Sequence, residues 1–340
     1  MRQEQRGGDN STNFQAEVIH AGITYRDARD IATDVYNDNI PKFTEIARQV
    51  ALDRAMSFTD TLLDGIPSET LQALKDPDVQ RALFFAQQEF ACSGDEQLGD
   101  VLMDLMRKRM KSPQRDIKQL AVTESLKTAP KLSANHFSAL TALFVLTRIR
   151  LGIASVADLH AKMRTILAPA VYGLEVSEAD LAYLEYAGCV SIQITSHNIG
   201  DILLETYKGA FSRGFTEEQI PETVRPVIAP FLGACFRDPA KLQLAALNAE
   251  IVGKLTEEQK LDDPYRASIL NLLNVGLMSS AEAAEEFSDL HPALRNLTEI
   301  YHSSSLKNCQ LTTVGITLAH TNLRRVAGEA FDPGLEIWVK

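Results

Sequence analysis

The chain has 340 residues, 45% of them hydrophobic and 23% charged, with a net charge of -11. That length suggests about two domains or one extended helical body, with ample chain for a core. The acidic balance argues against a sequence-blind grip on DNA or RNA, which needs a field of Lys and Arg, and no apolar run reaches the roughly 18 to 20 residues that span a bilayer.

The opening stretch "GGDNSTNFQAEVIHAG", residues 7–22, is polar and alternating. Gly7 and Gly8 free the chain from any helix. Asn10, Ser11 and Thr12 favour turns or strands over helix interiors. Thr12, Phe14, Ala16 and Val18 then point one way, and Asn13, Gln15 and Glu17 the other. A lone strand must pair. Residues 1–23 are therefore expected to be an assembly element, with Asn10, Thr12, Asn13, Phe14, Gln15 and Val18 pairing against another copy of the chain. The first ten residues hold no apolar segment of signal-peptide type. Cys92, Cys189, Cys235 and Cys309 lie far apart with no CxxC, which fits reduced thiols. Both features point to a cytoplasmic protein.

From Thr24 onward the reading is helical. Thr24 can cap "YRDARDIATDVYND", where Ala28, Ile31, Ala32 and Val35 form one apolar stripe. A second helix follows Pro41, with Ile46, Val50, Phe58 and Leu62 on repeating spacings, and ends at Gly65 and Pro67. Helices over "DVQRALFFAQQEFACSG" and "DEQLGDVLMDLMRKRMK" complete a first helical region, residues 24–112. "MRKRMKSPQR" (106–115) is the strongest basic run. Ser112-Pro113 reads as a cap and start for the second region, residues 113–340. There "KLSANHFSALTALFVLTRIRLG" is apolar nearly all round and is expected to be a central buried helix. Ser-capped helices over "SVADLHAKMRTILAP" and "SEADLAYLEYAG" follow.

The rhythm changes at "GCVSIQITSHNIG", where Val190, Ile192 and Ile194 alternate with polar residues. "CQLTTVGITLAHTNLRRVAG" reads as a short extended piece entering a helix, and the tail "LEIWVK" alternates again. Residues 188–196, 309–312 and 335–340 are expected to form one small sheet, with Trp338 anchoring the tail to the body. Four prolines between 216 and 240 predict short helices and turns. The fold class is thus mainly α: a multi-helix body with a short N-terminal strand and a small C-terminal sheet.

These segments carry a resemblance. The opening, with its GDNSTN-(I/F)-Q element and the "GITY" helix start, together with "DPDVQRALFFAQQEFACSGDEQLGDVLMDLM", "APKLSANHFSALTALFVL" and "LEYAGCVSIQ", resembles a group of uncharacterised bacterial proteins over most of the chain. The resemblance implies a bacterial cytoplasmic origin and one architecture, and it transfers no catalytic residue. "LEYAGCVSI" and "QLTTVGITLAHTNL" are also similar to winged-helix wings and to several bacterial phage-defence accessory proteins, but "SHNIGDILLETYKG" carries one Lys and two acids and so lacks a basic recognition helix; the segment is read as a structural module.

No phosphate loop, dinucleotide fingerprint, zinc-protease or nucleophile-elbow motif is present, so no cofactor is expected. The seven histidines are scattered without metal-ligand spacing, so no metal is expected either. Asp27, Asp30 and Asp34 share a helix face and could hold a hard cation; the preferred reading is an exposed acidic face near a helix start. "RNLTEIYH" places Arg295 and His302 seven residues apart on one face. It resembles the Arg-(Asn/Asp/His)-x-His pattern of HEPN-type ribonucleases, all-helical dimers. That resemblance implies an arginine stabilising a phosphorane and a histidine shuttling protons. The same face also reads as a solvated surface. The first reading is therefore a cytoplasmic, self-assembling interaction or accessory protein associated with stress or phage defence. It would have an unidentified protein partner and bind neither membrane nor nucleic acid. The alternative is a metal-independent ribonuclease using Arg295 and His302.

Overall fold

The computed structural model describes residues 23–39, 44–112, 114–246 and 248–340. It is mainly α-helical, with two small antiparallel sheets among the described residues. The expected N-terminal strand, with Asn10, Thr12, Asn13, Phe14, Gln15 and Val18, lies outside those residues.

Two compact units divide the chain between Cys92 and Ser93. The sequence reading sets a boundary after residue 112; the helix Glu96–Met110 lies in the second unit, where it packs against Ile117–Thr128 and Thr313–Ala327.

The first unit holds α1 (Tyr25–Asn39), α2 (Glu45–Leu63) and α3 (Pro77–Ser93). Thr24 and Asp27 close the start of α1 reciprocally. The Asp27 N–H donates to Thr24 Oγ1 at 3.2 Å, and the Thr24 N–H and hydroxyl donate to Asp27 Oδ2 at 2.9 and 2.8 Å. Ala51, Ala55, Phe58 and Leu62 are the buried stripe of α2. Gln87 on α3 donates to Thr59 Oγ1 at 2.8 Å and to the Ala32 carbonyl at 3.4 Å, so one buried amide links all three helices. Arg29 pairs with Asp60 across α1 and α2 at 2.7 Å.

In the second unit we label α4 (Glu96–Met110), α5 (Ile117–Thr128), α6 (Ala134–Arg148), α7 (Val156–Lys162), α8 (Glu178–Tyr186), β1 (Val190–Ile192) and α9 (Ile199–Tyr207). They are followed by β2 (Leu232–Ala234), β3 (Leu242–Leu244), α10 (Ala249–Glu258), α11 (Asp263–Leu272), α12 (Ser280–Asp289), α13 (Pro292–Ser303), β4 (Cys309–Leu311) and α14 (Thr313–Ala327). Side-chain caps start many of them. Asp95, Ser155, Ser177 and Thr312 each accept a backbone N–H of the first turn that has no partner within the helix. Before α5 the cap is Asp116, whose carboxylate accepts the Gln119 N–H at 2.8 Å, not Ser112 as its proline neighbour had suggested.

Helix α6 is central as expected: Ala139 to Leu146 are all buried. Its main partner is α14, which also packs on α4 and α5. Every residue of α14 from Gly315 to Leu323 is buried, including Thr317, His320, Thr321 and Asn322. Polarity hid this second core helix from a hydropathy reading. The polar groups are satisfied internally: Asn322 Nδ2 donates to Thr141 Oγ1 at 2.9 Å, and Thr317 Oγ1 to the Thr313 carbonyl at 2.8 Å. Gly315 lets α14 start against the chain that enters β1. A Cβ there would overlap the Cys189 carbonyl oxygen.

β1 pairs with β4, Val190 opposite Leu311 and Ile192 opposite Cys309, as two of the three extended segments were expected to do. The third does not join. Residues Leu335–Ile337 form a single tight helical turn. Leu335 and Val339, four apart, are both buried while Ile337 between them is exposed, a pattern that suits a helical turn, because a strand would place all three on one face. Trp338 does anchor the tail. Its Nε1 donates to the Arg148 carbonyl at 2.9 Å, and its ring lies 4.9 Å from Phe144 and 6.0 Å from Phe331. The second sheet, β2 with β3, was not anticipated, although Asp238-Pro239 between them is a turn signal. It belongs to a satellite core of Phe215, Ile228, Phe231, Leu244 and Ile269.

Candidate functional site

Two places stand out, one in each unit. In the first, α2 begins in solvent. Each residue from Thr44 to Val50 is exposed, and these include Ile46 at 82% and Val50 at 43%. The expected stripe is therefore split: Phe58 and Leu62 are buried, whereas Ile46 and Val50 are not. A helix with water on every side is ordinarily polar all round, and this one carries two β-branched apolar residues one turn apart.

In the second unit, α9, α12 and α13 enclose a hollow of about 390 Å³. Asn198 caps α9 by accepting the Asp201 N–H at 2.9 Å, and the same oxygen accepts the Ser280 hydroxyl at 2.7 Å from the start of α12. The two helix starts are held in contact because residue 200 is glycine: a Cβ there would overlap the Ser280 carbonyl. Ser279 caps α12 with Glu282, whose carboxyl is held down at about 2 by the Ser279 N–H and then by Arg213. On α12 and α13, Ser288 Oγ donates to Thr298 Oγ1 at 3.0 Å, and α13 begins at Pro292 behind a His291 cap. Ile199, Ala281 and Ala284 supply apolar wall; Tyr301, His302 and Lys307 supply polar groups. Tyr301 is 3% exposed, and its hydroxyl meets no hydrogen-bond partner among the described residues. Burial pushes its phenol up to about 12. Lys307 donates to the His302 carbonyl at 2.8 Å.

The residues of the ribonuclease alternative both lie on α13. His302 is exposed and lines this hollow, whereas Arg295 lines a different one beside Ser288 and His291. They share a face but stand about 10 Å apart along the axis. The Arg295 guanidinium is engaged by Asp289 at 2.6 Å. The fold does not bring the two into one constellation. Of the acidic trio, Asp27 is occupied as the Thr24 capping partner, which holds its carboxyl below the usual range. Among the described residues, no group of three or more His, Cys, Asp or Glu is arranged to hold a metal ion.

The basic run also reads differently in three dimensions. Lys108 and Arg109 turn inward from α4. The Lys108 ammonium is shared by Asp104, Thr321 Oγ1 at 2.6 Å and His320 Nδ1 at 3.1 Å, which uses all three of its donors. The carboxyl of Asp104 is pushed up by burial, but Lys108 beside it outweighs that and holds it below its ordinary value. His320 Nε2 faces the Pro333 carbonyl at 2.8 Å. This sets the neutral tautomer with its proton on Nε2, leaving Nδ1 to accept from Lys108. Sequence reading missed this buried network. The signal was there in part: Asp104 and Lys108 stand four apart on one helix, an opposite-charge pair.

Cys189 and Cys309 are buried free thiols, each pushed up to about 12 by burial. Among the described residues no helix is long and apolar enough to cross a membrane.

A family model described as ":-like" matches residues 22–339, so the chain belongs to that family, which is uncharacterised. No curated protein and no solved structure gives a significant match.

Proposed function

We propose that this member of the family is an interaction protein of the bacterial cytoplasm that assembles with copies of itself through its first unit. The observation that carries the proposal is the exposed start of α2. Ile46 and Val50 are placed where a helix in water holds polar residues, and covering two such side chains is favourable by about 1 to 3 kcal/mol each. A second copy is the occupant that best fits the sequence of the same unit. The alternating segment around Asn10, Thr12, Asn13, Phe14, Gln15 and Val18 needs a pairing partner, and identical amide-bearing segments pair in register. Service in stress or phage defence rests on resemblance alone.

The test is light scattering on three proteins: the full chain, a form lacking residues 1–22, and Ile46→Asp/Val50→Asp. The full chain should be a multiple of the single-chain mass and both altered forms smaller, with circular dichroism nearly unchanged. Equal masses for all three would refute the proposal. So would a monomeric full chain, the outcome if residues 1–22 cover α2 of their own copy.

A further inference from the structure

We infer that the hollow between α9, α12 and α13 binds a small organic carboxylate with an apolar body. Its volume, about 390 Å³, lies at the lower end of the roughly 300 to 1,000 Å³ typical of ligand pockets, so the occupant is small. Ile199, Ala281 and Ala284 offer apolar contact for its body.

The polar groups select the charge. No acidic side chain lines the hollow, and Lys307 does. The nearby carboxylate of Glu178 is engaged elsewhere, accepting the Ser305 N–H at 2.8 Å. Helices α9 and α12 both begin here, so the positive ends of two dipoles converge on it. The independent observation is Tyr301. The residue is 3% exposed and lines the hollow, and its hydroxyl meets no hydrogen-bond partner among the described residues. With its phenol pushed up to about 12, it remains a proton donor throughout the physiological range. A donor of this kind beside an ammonium and two helix starts matches a carboxylate better than it matches a neutral amide, which adds donors of its own. The inference stands apart from self-assembly, which concerns the first unit.

Calorimetric titration of the full chain with benzoate and hexanoate tests it, with benzamide and hexanamide as neutral counterparts. At least one acid should bind at millimolar concentration or below, and its amide should bind about tenfold more weakly, the weight of one hydrogen bond to a charged group. Tyr301→Phe and Lys307→Met should each weaken the acid by a similar factor. Ala284→Phe, which fills the hollow, should abolish binding. Should that variant fail to fold, the Tyr301→Phe and Lys307→Met affinities decide alone. Absence of binding by both acids, equal affinity for acid and amide, or acid binding unchanged by the variants would overturn the assignment.

Discussion

Acidification should unfasten the core at His320. The side chain is fully buried among Phe144, Phe331 and Trp338. Burial first, and then the Lys108 charge, lower its pKa from 6.5 to about 4; the Pro333 carbonyl and Asp104 pull weakly the other way. Between those two values the unfolded chain binds a proton that the native protein refuses. The stability contributed by the neutral imidazole is therefore complete above about pH 6.5 and is lost as pH falls towards 4. At about 1.4 kcal/mol per pH unit, the loss is about 3 kcal/mol. Urea unfolding followed by the fluorescence of Trp338, the single tryptophan, should show this loss between about pH 7 and about pH 4.5. His320→Gln retains an acceptor for Lys108 and a donor for Pro333 but cannot titrate. It should be less stable at neutral pH, yet its stability should vary far less across the same window. Parallel pH profiles for the two proteins would refute the reasoning, because the loss would then come from carboxylates elsewhere.

Leu143→Ala removes a side chain that is 1% exposed in the middle of α6 and should cost about 2 to 5 kcal/mol; an unchanged urea midpoint would show that α6 is peripheral. Gly200→Ala sets a methyl group against the Ser280 carbonyl and should cost about 1 to 3 kcal/mol through displacement of α12, read as a lower thermal midpoint.

Much of the secondary structure was legible in the chain itself. Ser155, Ser177 and Thr24 marked their helix starts, because a side-chain oxygen beside a first turn does a local job that needs no tertiary partner. The apolar circumference of α6 announced its burial for the same reason: such a surface has no stable place in water. Strands β1 and β4 were visible in their alternation, and the anchoring of Trp338 in its size.

Other features depended on what each segment meets. Ile46 and Val50 have the spacing of a buried stripe, yet no described part of the first unit covers them, since periodicity defines a face and not its neighbour. The LEIWVK tail alternates like a strand but coils into a turn, because Trp338 gains more from Phe144 and the Arg148 carbonyl than it would from a sheet edge. Lys108, Arg109 and His320 look like surface residues in the sequence. Their burial was decided only when α4 and α14 came together, because an ammonium can leave water only where a carboxylate, an imidazole and a hydroxyl from separate turns replace its hydration. The hollow is likewise a product of assembly: Ile199, Ala284, Tyr301 and Lys307 come from four stretches of chain, and no spacing in the sequence relates them.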